Sequence, residues 1–397
     1  MIARRTLLAG LATIPAVTRA ATPSSFAEDL IRAIFGRLDK IPHGPALLAS
    51  YPDTATNAGF SKFAPANDTA AYVYDNALAG LVLLAGGHAL AASRIADALV
   101  LAQTHDPVFH DGRLRNAYRA GLMTKSAALP GWWDAAAKRW DEDPYQVGSE
   151  TGPVAWAILL WTALRDAGVN GDHYDAAAQR AAGWIVTQCR EKSGFSGGVF
   201  GFPPHPQKLL WRSTEQNTDL TVAFTRLGMT ADAAHATSFV SAMRDPATGL
   251  FAAGLTPDGA RNRLIAADAN LWPYLAGLTG SAAITPTLRT LGWPRTNPEG
   301  IGFSAASRGI WSEGSAFAAL ALRRAGQTHL AARFLSTLGQ QRSSDGYLFT
   351  TNRKSLATGL TVGPGADSSK FAYYRVPALA PTAWAALASL GVNPLQR

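Results

Sequence analysis

The sequence predicts an all-α chain folded as an (α/α)6 toroid, six helical hairpins closed into a ring with small β-hairpins on one rim. Two observations carry that expectation. Six stretches of small and aromatic residues, each opening near an acid or a Thr, recur about 45 to 75 residues apart along the 397-residue chain, as in a divergent two-helix repeat. Each is preceded by an amphipathic stretch, so polar-faced and apolar helices alternate. The composition agrees. Apolar residue types make up 47% of the chain and charged ones only 16%, low for a soluble protein, as expected where inner helices are buried all round.

The inner stretches begin at Tyr74-Asp75-Asn76, Glu150-Thr151, Thr214-Glu215-Gln216-Asn217, Asp268-Ala269-Asn270, Glu313-Gly314 and Pro381-Thr382. The outer ones are Phe26–Leu38, Ser93–Gln103, His173–Arg190, Ala231–Arg244, Ile284–Leu291 and His329–Gln341. In the third outer stretch Ile185, Val186 and Cys189 share one face, while Arg180, Arg190 and Lys192 lie off it or at its end. The connections Gly194–Phe202, Asp245–Gly259 and Ser344–Asn352 are rich in Gly, Asp and aromatics and read as turns opening short strands. The long stretch from His105 to Ser149 holds Trp132, Trp133 and Trp140 and is expected to wrap the mouth. No Gly/Ser linker or low-complexity run marks a boundary, so residues 22–397 are expected to form one catalytic domain.

The first 21 residues read as an export signal. Arg4 and Arg5 precede an apolar run from Leu7 to Val17, too short to span a bilayer, and Thr18 and Ala20 suit cleavage after Ala20. Adjacent arginines before Thr-Leu-Leu suggest the twin-arginine route. A periplasmic or secreted protein, not inserted in the membrane after cleavage, is therefore expected. The formal charge of +8 loses three with Arg4, Arg5 and Arg19, leaving +5. No Lys/Arg run exceeds two residues, so a nucleic-acid partner is not expected. A single Cys189 excludes an internal disulfide. The one dense histidine cluster, His105 to His110, lacks zinc-binding helical spacing, and no phosphate loop or dinucleotide fingerprint occurs. Neither a metal nor a cofactor is expected, and oligomeric state is not legible.

Parallel inner helices would bring Asp75, Glu150, Glu215, Asp268 and Glu313 to one rim. Helix N-termini favour acids on stability grounds alone. Caps, however, prefer Ser, Thr, Asn or Asp, and three of these five are Glu. Aromatics accompany them: Tyr72 and Tyr74, Trp211, Trp272 and Trp311, with Trp384 on the last inner stretch. Carboxylates interleaved with aromatic planes suit sugar hydrolysis, in which rings stack on pyranose faces while one acid protonates the leaving oxygen and one carboxylate activates water. Trp211, Trp272 and Trp311 are expected to line the cavity, and Asn76 and Asn217 to bond sugar hydroxyls.

Taken in order, Tyr74-Asp75-Asn76-Ala77-Leu78, Asp111-Gly112-Arg113-Leu114-Arg115-Asn116-Ala117-Tyr118, Ser213 through Leu220, Trp311-Ser312-Glu313-Gly314-Ser315 and Pro381-Thr382-Ala383-Trp384 resemble exported bacterial six-hairpin proteins of the glycosidase-like class. The resemblance covers nearly the whole mature chain and implies the toroid together with carbohydrate-directed activity, commonly inverting hydrolysis. Gln216 departs from it, standing where relatives would carry His.

Glu215 and Asp219 are four residues apart on one helix face, where like charges raise one pKa, so Glu215 is the expected acid. Asp75 is the expected base, kept ionised by the helix N-terminus. Glu313 is the rival acid and Asp268 a further member of the set. A polysaccharide lyase on the same ring competes with this reading. Its base and uronate-neutralising groups could come from Tyr72, Asn76, His88, Arg113, Asn116 and Tyr118. A non-catalytic polysaccharide-binding or assembly protein is the remaining rival.

Overall fold

The computed structural model describes residues 25–54, 57–363 and 369–396; the stretch read as an export signal lies outside them. Among these residues twelve helices of eight residues or more alternate between two rings. The outer set is α1 (Ser25–Asp39), α3 (Ala89–Thr104), α5 (Gly171–Cys189), α7 (Thr230–Ala242), α9 (Ile284–Leu291) and α11 (Thr328–Gly339). The inner set is α2 (Val73–Ala85), α4 (Thr151–Asp166), α6 (Thr214–Arg226), α8 (Ala267–Leu275), α10 (Ser312–Arg324) and α12 (Leu379–Leu390). All twelve expected segments are helices. The difference in chemistry between the rings is as anticipated. Outer α1 buries a stripe at Ala27, Leu30, Ile31, Ile34 and Leu38, whereas inner α2 buries nearly its whole surface from Val73 to Leu83. One boundary moves. α3 begins at Ala89 rather than Ser93 because its first turn, Ala-Leu-Ala-Ala, carries no polar face to mark it.

Inner helices pack side by side, α2 on α4, α4 on α6, α6 on α8, α8 on α10 and α10 on α12. α12 closes the ring against α2, and α1 covers α12 from outside. Close approach is written into the sequence at Gly80, where a Cβ would stand 2.7 Å from Leu160 of the neighbouring helix. One continuous apolar core runs through both rings, with a small satellite of Phe239, Val240, Met243 and Phe251 beneath the Asp245 turn.

The two ends differ. Turns from inner to outer helices are mostly short, such as 86–88, 227–229 and 325–327. Connections from outer to inner helices are long and carry the strands. Ala70–Tyr72 pairs with Ala117–Arg119, Ser149–Glu150 with Gly198–Phe200, Arg212–Ser213 with Gly254–Leu255, and Leu348–Phe349 with Pro377–Ala378. Each pair thus fixes the residues that lead directly into an inner helix. The longest hairpin is Ser355–Val362 with Ser369–Tyr374. The Asp245 turn forms as expected, its carboxylate accepting the backbone N–H groups of Ala247 and Thr248. No helix among the described residues is long and apolar enough to cross a membrane.

Candidate active site

The inner helices begin after Tyr72, Glu150, Ser213, Ala266, Trp311 and Ala378. Two residues beyond each start, one side chain per helix, stand Tyr74, Gly152, Glu215, Asp268, Glu313 and Ala380. Four residues further on, and so on the same helix face, stand Leu78, Trp156, Asp219, Trp272, Phe317 and Trp384. That face points to the ring axis. The Trp156, Trp272, Phe317 and Trp384 rings come from four different helices, yet neighbouring centroids lie 5.5 to 5.8 Å apart. They form an aromatic floor in which Asp219 is the single charged position.

Above the floor the acids gather. The Tyr74 hydroxyl accepts the Trp384 indole N–H at 2.8 Å and donates to Glu313 Oε1 at 2.5 Å. Asp75, one residue past the common position, retains 8% exposure, Asp268 5% and Glu313 6%. Glu150 and Glu215 are half-buried, and Gln216 Nε2 donates to Glu150 Oε2 at 3.0 Å. Burial is the leading cause of every pKa rise in the group. It pushes Asp75 and Glu150 up to about 7, opposed by hydrogen bonds from Ser50 and Gln216 respectively. Glu313 rises to about 8, with the Tyr74 bond acting against the rise and the Asp75 and Asp268 charges adding to it. Asp268 stays lowest, at about 6, because the Ala269 backbone N–H donates to it at 2.5 Å. Glu215 is held well above the usual carboxylate range, first by burial and then by the charges of Asp268, Asp219, Glu150 and Glu313. Asp219 is fully buried, neither oxygen has a well-formed hydrogen bond, and burial drives its pKa well up against the neighbouring Trp156 indole.

Asp75, Glu215, Asp268 and Glu313 are therefore brought together at one end of the ring. The electrostatics of Asp75 differ from the expectation, since burial outweighs the helix N-terminus and raises its pKa instead of lowering it.

Asn76 and Asn217 do not reach a ligand. Asn76 accepts the Leu48 N–H and donates to the Leu48 and Tyr72 carbonyls. Asn217 accepts the Phe195 N–H and donates to the Phe195 and Ser213 carbonyls. Both are fully buried with every amide group occupied. They lie at equivalent positions, and Asn270 repeats the arrangement on α8 with Phe251 and Ala266. These amides stitch the rim loops to the inner helices.

The tryptophans also divide. Trp384 has no exposed surface and supports the floor from within. Trp272, at 2% exposure, belongs to the same floor. Trp311, at 3%, is wedged between Phe303, Phe317 and Tyr373 in the wall under the long hairpin. Trp211 and Tyr72 stay half-buried at the mouth. Trp211 lies over Gly197, where a Cβ would come within 2.5 Å of its ring.

Three half-buried tyrosines absent from the expected set complete the wall. The charges of Asp75 and Glu313 act on Tyr51, those of Glu150 and Glu215 on Tyr145, and those of Glu313, Asp268 and Glu215 on Tyr373. All three come from the connections between outer and inner helices, Tyr51 from a loop, Tyr145 from a single helical turn and Tyr373 from the long hairpin, segments too short for a period to announce them. Trp156 was legible in principle, through the four-residue spacing it shares with Asp219 and Trp272. Gln216, standing where His was anticipated, links Glu150 to the Thr151 hydroxyl, which donates to its Oε1 at 2.7 Å.

The residues suggested for a lyase do not assemble. His88 begins α3 at the far end of the ring, against Phe35. Tyr118 is buried and accepts the Arg115 N–H, Asn116 is bonded to Glu150 N and Tyr145 O, and Arg113 pairs with Asp111. Gly194-Phe195-Ser196-Gly197-Gly198 has the spacing of a nucleophile elbow. Ser196 is nevertheless fully buried with its hydroxyl bonded to the Cys189 carbonyl, and His235 is bonded to backbone carbonyls.

No family model matches the chain, and no curated protein sequence matches it. Solved structures do share its fold over nearly the whole length. A glycosidase in complex with glucose is 15% identical, with 94% of this chain and 98% of that chain covered and a TM-score of 0.59. An α-amylase from Clostridium perfringens is 11% identical, covering 94% and 99%, at 0.61. A D-mannose isomerase is 9% identical, covering 96% and 99%, at 0.58. At such identities the likeness establishes the toroid alone.

Proposed function

We propose that the protein hydrolyses glycosidic bonds of a poly- or oligosaccharide, with Glu215 as the general acid and Asp75 as the general base. The observation that carries the reading is the crowding of Glu215 by four other carboxylates above an aromatic floor. A group so placed keeps its proton near neutral pH and can release it to a leaving oxygen. Glycosidases of the same toroid shape, one of them solved with glucose, support the choice of substrate class.

In the proposed reaction Glu215 protonates the glycosidic oxygen as its bond to C1 breaks. Water forms the new bond to C1 from the opposite face, and Asp75 takes the proton that water loses. Asp75, pushed up to about 7, is partly ionised at neutral pH. It is not among the four charges acting most strongly on Glu215, which suits a base set apart from the acid. Inversion, which needs a gap of roughly 6.5–9.5 Å for that water, is the stereochemistry proposed. Asp268, with the lowest pKa of the group, is the competing base.

A panel of polysaccharides decides the class. New reducing ends without an ultraviolet-absorbing unsaturated product are expected; an unsaturated product would show a lyase. Glu215→Gln and Asp75→Asn should each lower kcat by about 10²–10⁴-fold with the fold retained. If Asp75→Asn stays active while Asp268→Asn does not, the base is reassigned. If Glu215→Gln keeps its rate, Glu215 is not the acid and Glu313 takes its place; if none of Glu215→Gln, Asp75→Asn, Asp268→Asn and Glu313→Gln slows turnover, the carboxylates are structural and their proposed catalytic roles are refuted. NMR of the first-formed anomer tests inversion. Export is part of the proposal, and replacing Arg4 and Arg5 by Lys should leave the protein in the cytoplasmic fraction.

A further inference from the structure

The stretch expected to wrap the mouth forms a separate feature. Trp132–Asp134 and Arg139–Asp141 make a hairpin in which Trp133 and Trp140 are direct cross-strand partners, so both rings project from one face. They are the two most exposed tryptophans among the described residues, at 60% and 43%. Apolar surface left in water costs about 25 cal/mol per Å², and a paired exposure of this size marks a contact surface. The Trp140 ring is held in place. Gly131 lies under it, where a Cβ would come within 2.5 Å of Nε1, and the Arg119 guanidinium sits 5.4 Å from its centroid. Beside these rings is a hollow of about 710 Å³, walled by Pro65, Asp68, Thr69 and Arg119 as well as the hairpin.

The hollow lies at the outer end of the strand that leads to the carboxylate site. Arg119 and Thr69 stand at the outer end of the Ala70–Tyr72 strand pair, where the Ala120 N–H donates to the Thr69 carbonyl at 2.7 Å. The inner end of the same strand delivers Tyr72, about 10 Å from Thr69 at strand rise, and the helix that follows opens with Asp75 in its first turn. The Tyr72 hydroxyl donates to Asn67, in the segment that walls the hollow, and its ring faces Tyr51 and Tyr145. Aromatic planes thus stand at both ends of the strand, Trp133 and Trp140 on the outer face and Tyr51, Tyr72 and Tyr145 toward the acids. In the lining of the hollow Arg119 stands with Asp68 and Asp134, and on the hairpin Arg139 is paired with Asp141, leaving no net positive charge to hold a uronate.

We propose that the Trp133/Trp140 face is a binding platform for a neutral polysaccharide, holding the chain outside the carboxylate ring as it leads along the Thr69–Tyr72 strand. The proposal rests on the carbohydrate reading of the site. Its test uses the full-length mature protein with α-mannan, soluble starch and a soluble β-glucan, and with polygalacturonate as the acidic probe. Affinity electrophoresis reads binding, and hydrolysis of the polymers and of a short chromogenic oligosaccharide reads turnover. The double variant Trp133→Ala/Trp140→Ala, whose side chains are largely outside the core, should lose about tenfold or more in affinity for a neutral polymer while keeping its kcat/KM on the short substrate. Circular dichroism confirms the fold. Unchanged KM on a polymer that the wild type cleaves would overturn the platform and leave hydrolysis standing. Platform-dependent binding without turnover would support the platform and overturn hydrolysis. Tighter binding to polygalacturonate than to every neutral polymer would refute the charge argument, and absence of both binding and cleavage would refute both proposals.

Discussion

Tyr74 occupies, on the first inner helix, the position that holds Glu215, Asp268 and Glu313 on three others, and its hydroxyl bridges Trp384 to Glu313. Removing that oxygen strands a buried indole N–H, at a cost of about 1–3 kcal/mol. It also deprives Glu313 of the bond that restrains its pKa, which at about 8 is already far above an ordinary glutamate. Tyr74→Phe should therefore lower Tm and move the Glu313 titration upward, as read by carboxyl NMR. A titration that stays put would mean the hydroxyl does not restrain Glu313. The acids were legible in the sequence because a carboxylate near a helix start is a discrete signal. Their protonation was not. The helix N-terminus acting on Asp75 can be read from local sequence, whereas its burial depends on rim loops folding over it from elsewhere in the chain.

At the scale of single elements, the alternation of amphipathic and all-apolar segments located both rings because it reports how many sides of a helix meet protein. It could not distinguish a polar residue facing the axis from one facing a loop. Asn76 and Asn217 carry the same functional groups as a sugar-binding amide, and only their positions, four residues past the helix start, turn them toward the rim strands. Asn217→Ala leaves the Phe195 N–H and two carbonyls without their partner, so a loss of roughly 1–3 kcal/mol or more is expected, seen as a lower Tm. Activity per folded molecule should be preserved. A raised KM with unchanged Tm would restore the ligand-binding role. The rim hairpins were foreseen as turns, but which strand pairs with which depends on contacts distant in sequence, such as Arg212 with Leu255.

For the whole molecule, a ring of buried acids makes stability fall as the medium becomes alkaline. Asp75 is raised from 3.8 to about 7, Glu313 from 4.5 to about 8 and Asp268 from 3.8 to about 6. Each group binds its proton more tightly when folded. Its contribution is complete below the unfolded pKa and is lost as pH rises through the folded one. The rise at Asp75 alone corresponds to roughly 4 kcal/mol. Tm should therefore decline between pH 5 and 8, as measured by calorimetry, and Asp75→Asn or Glu313→Gln should flatten the decline; a Tm rising over that range would contradict the burial described. The ring has a second consequence. α1 starts and α12 finishes at the end opposite the acids, packed on each other. A circle of hairpins has no intrinsic first member. Tethering Ser25 to Gln396 with a short flexible peptide and cutting at Gly326 would give a circular permutant whose chain begins at α11. Every side chain of the carboxylate ring would keep its neighbours, and the order in which the hairpins leave the ribosome could be varied independently of the architecture they build.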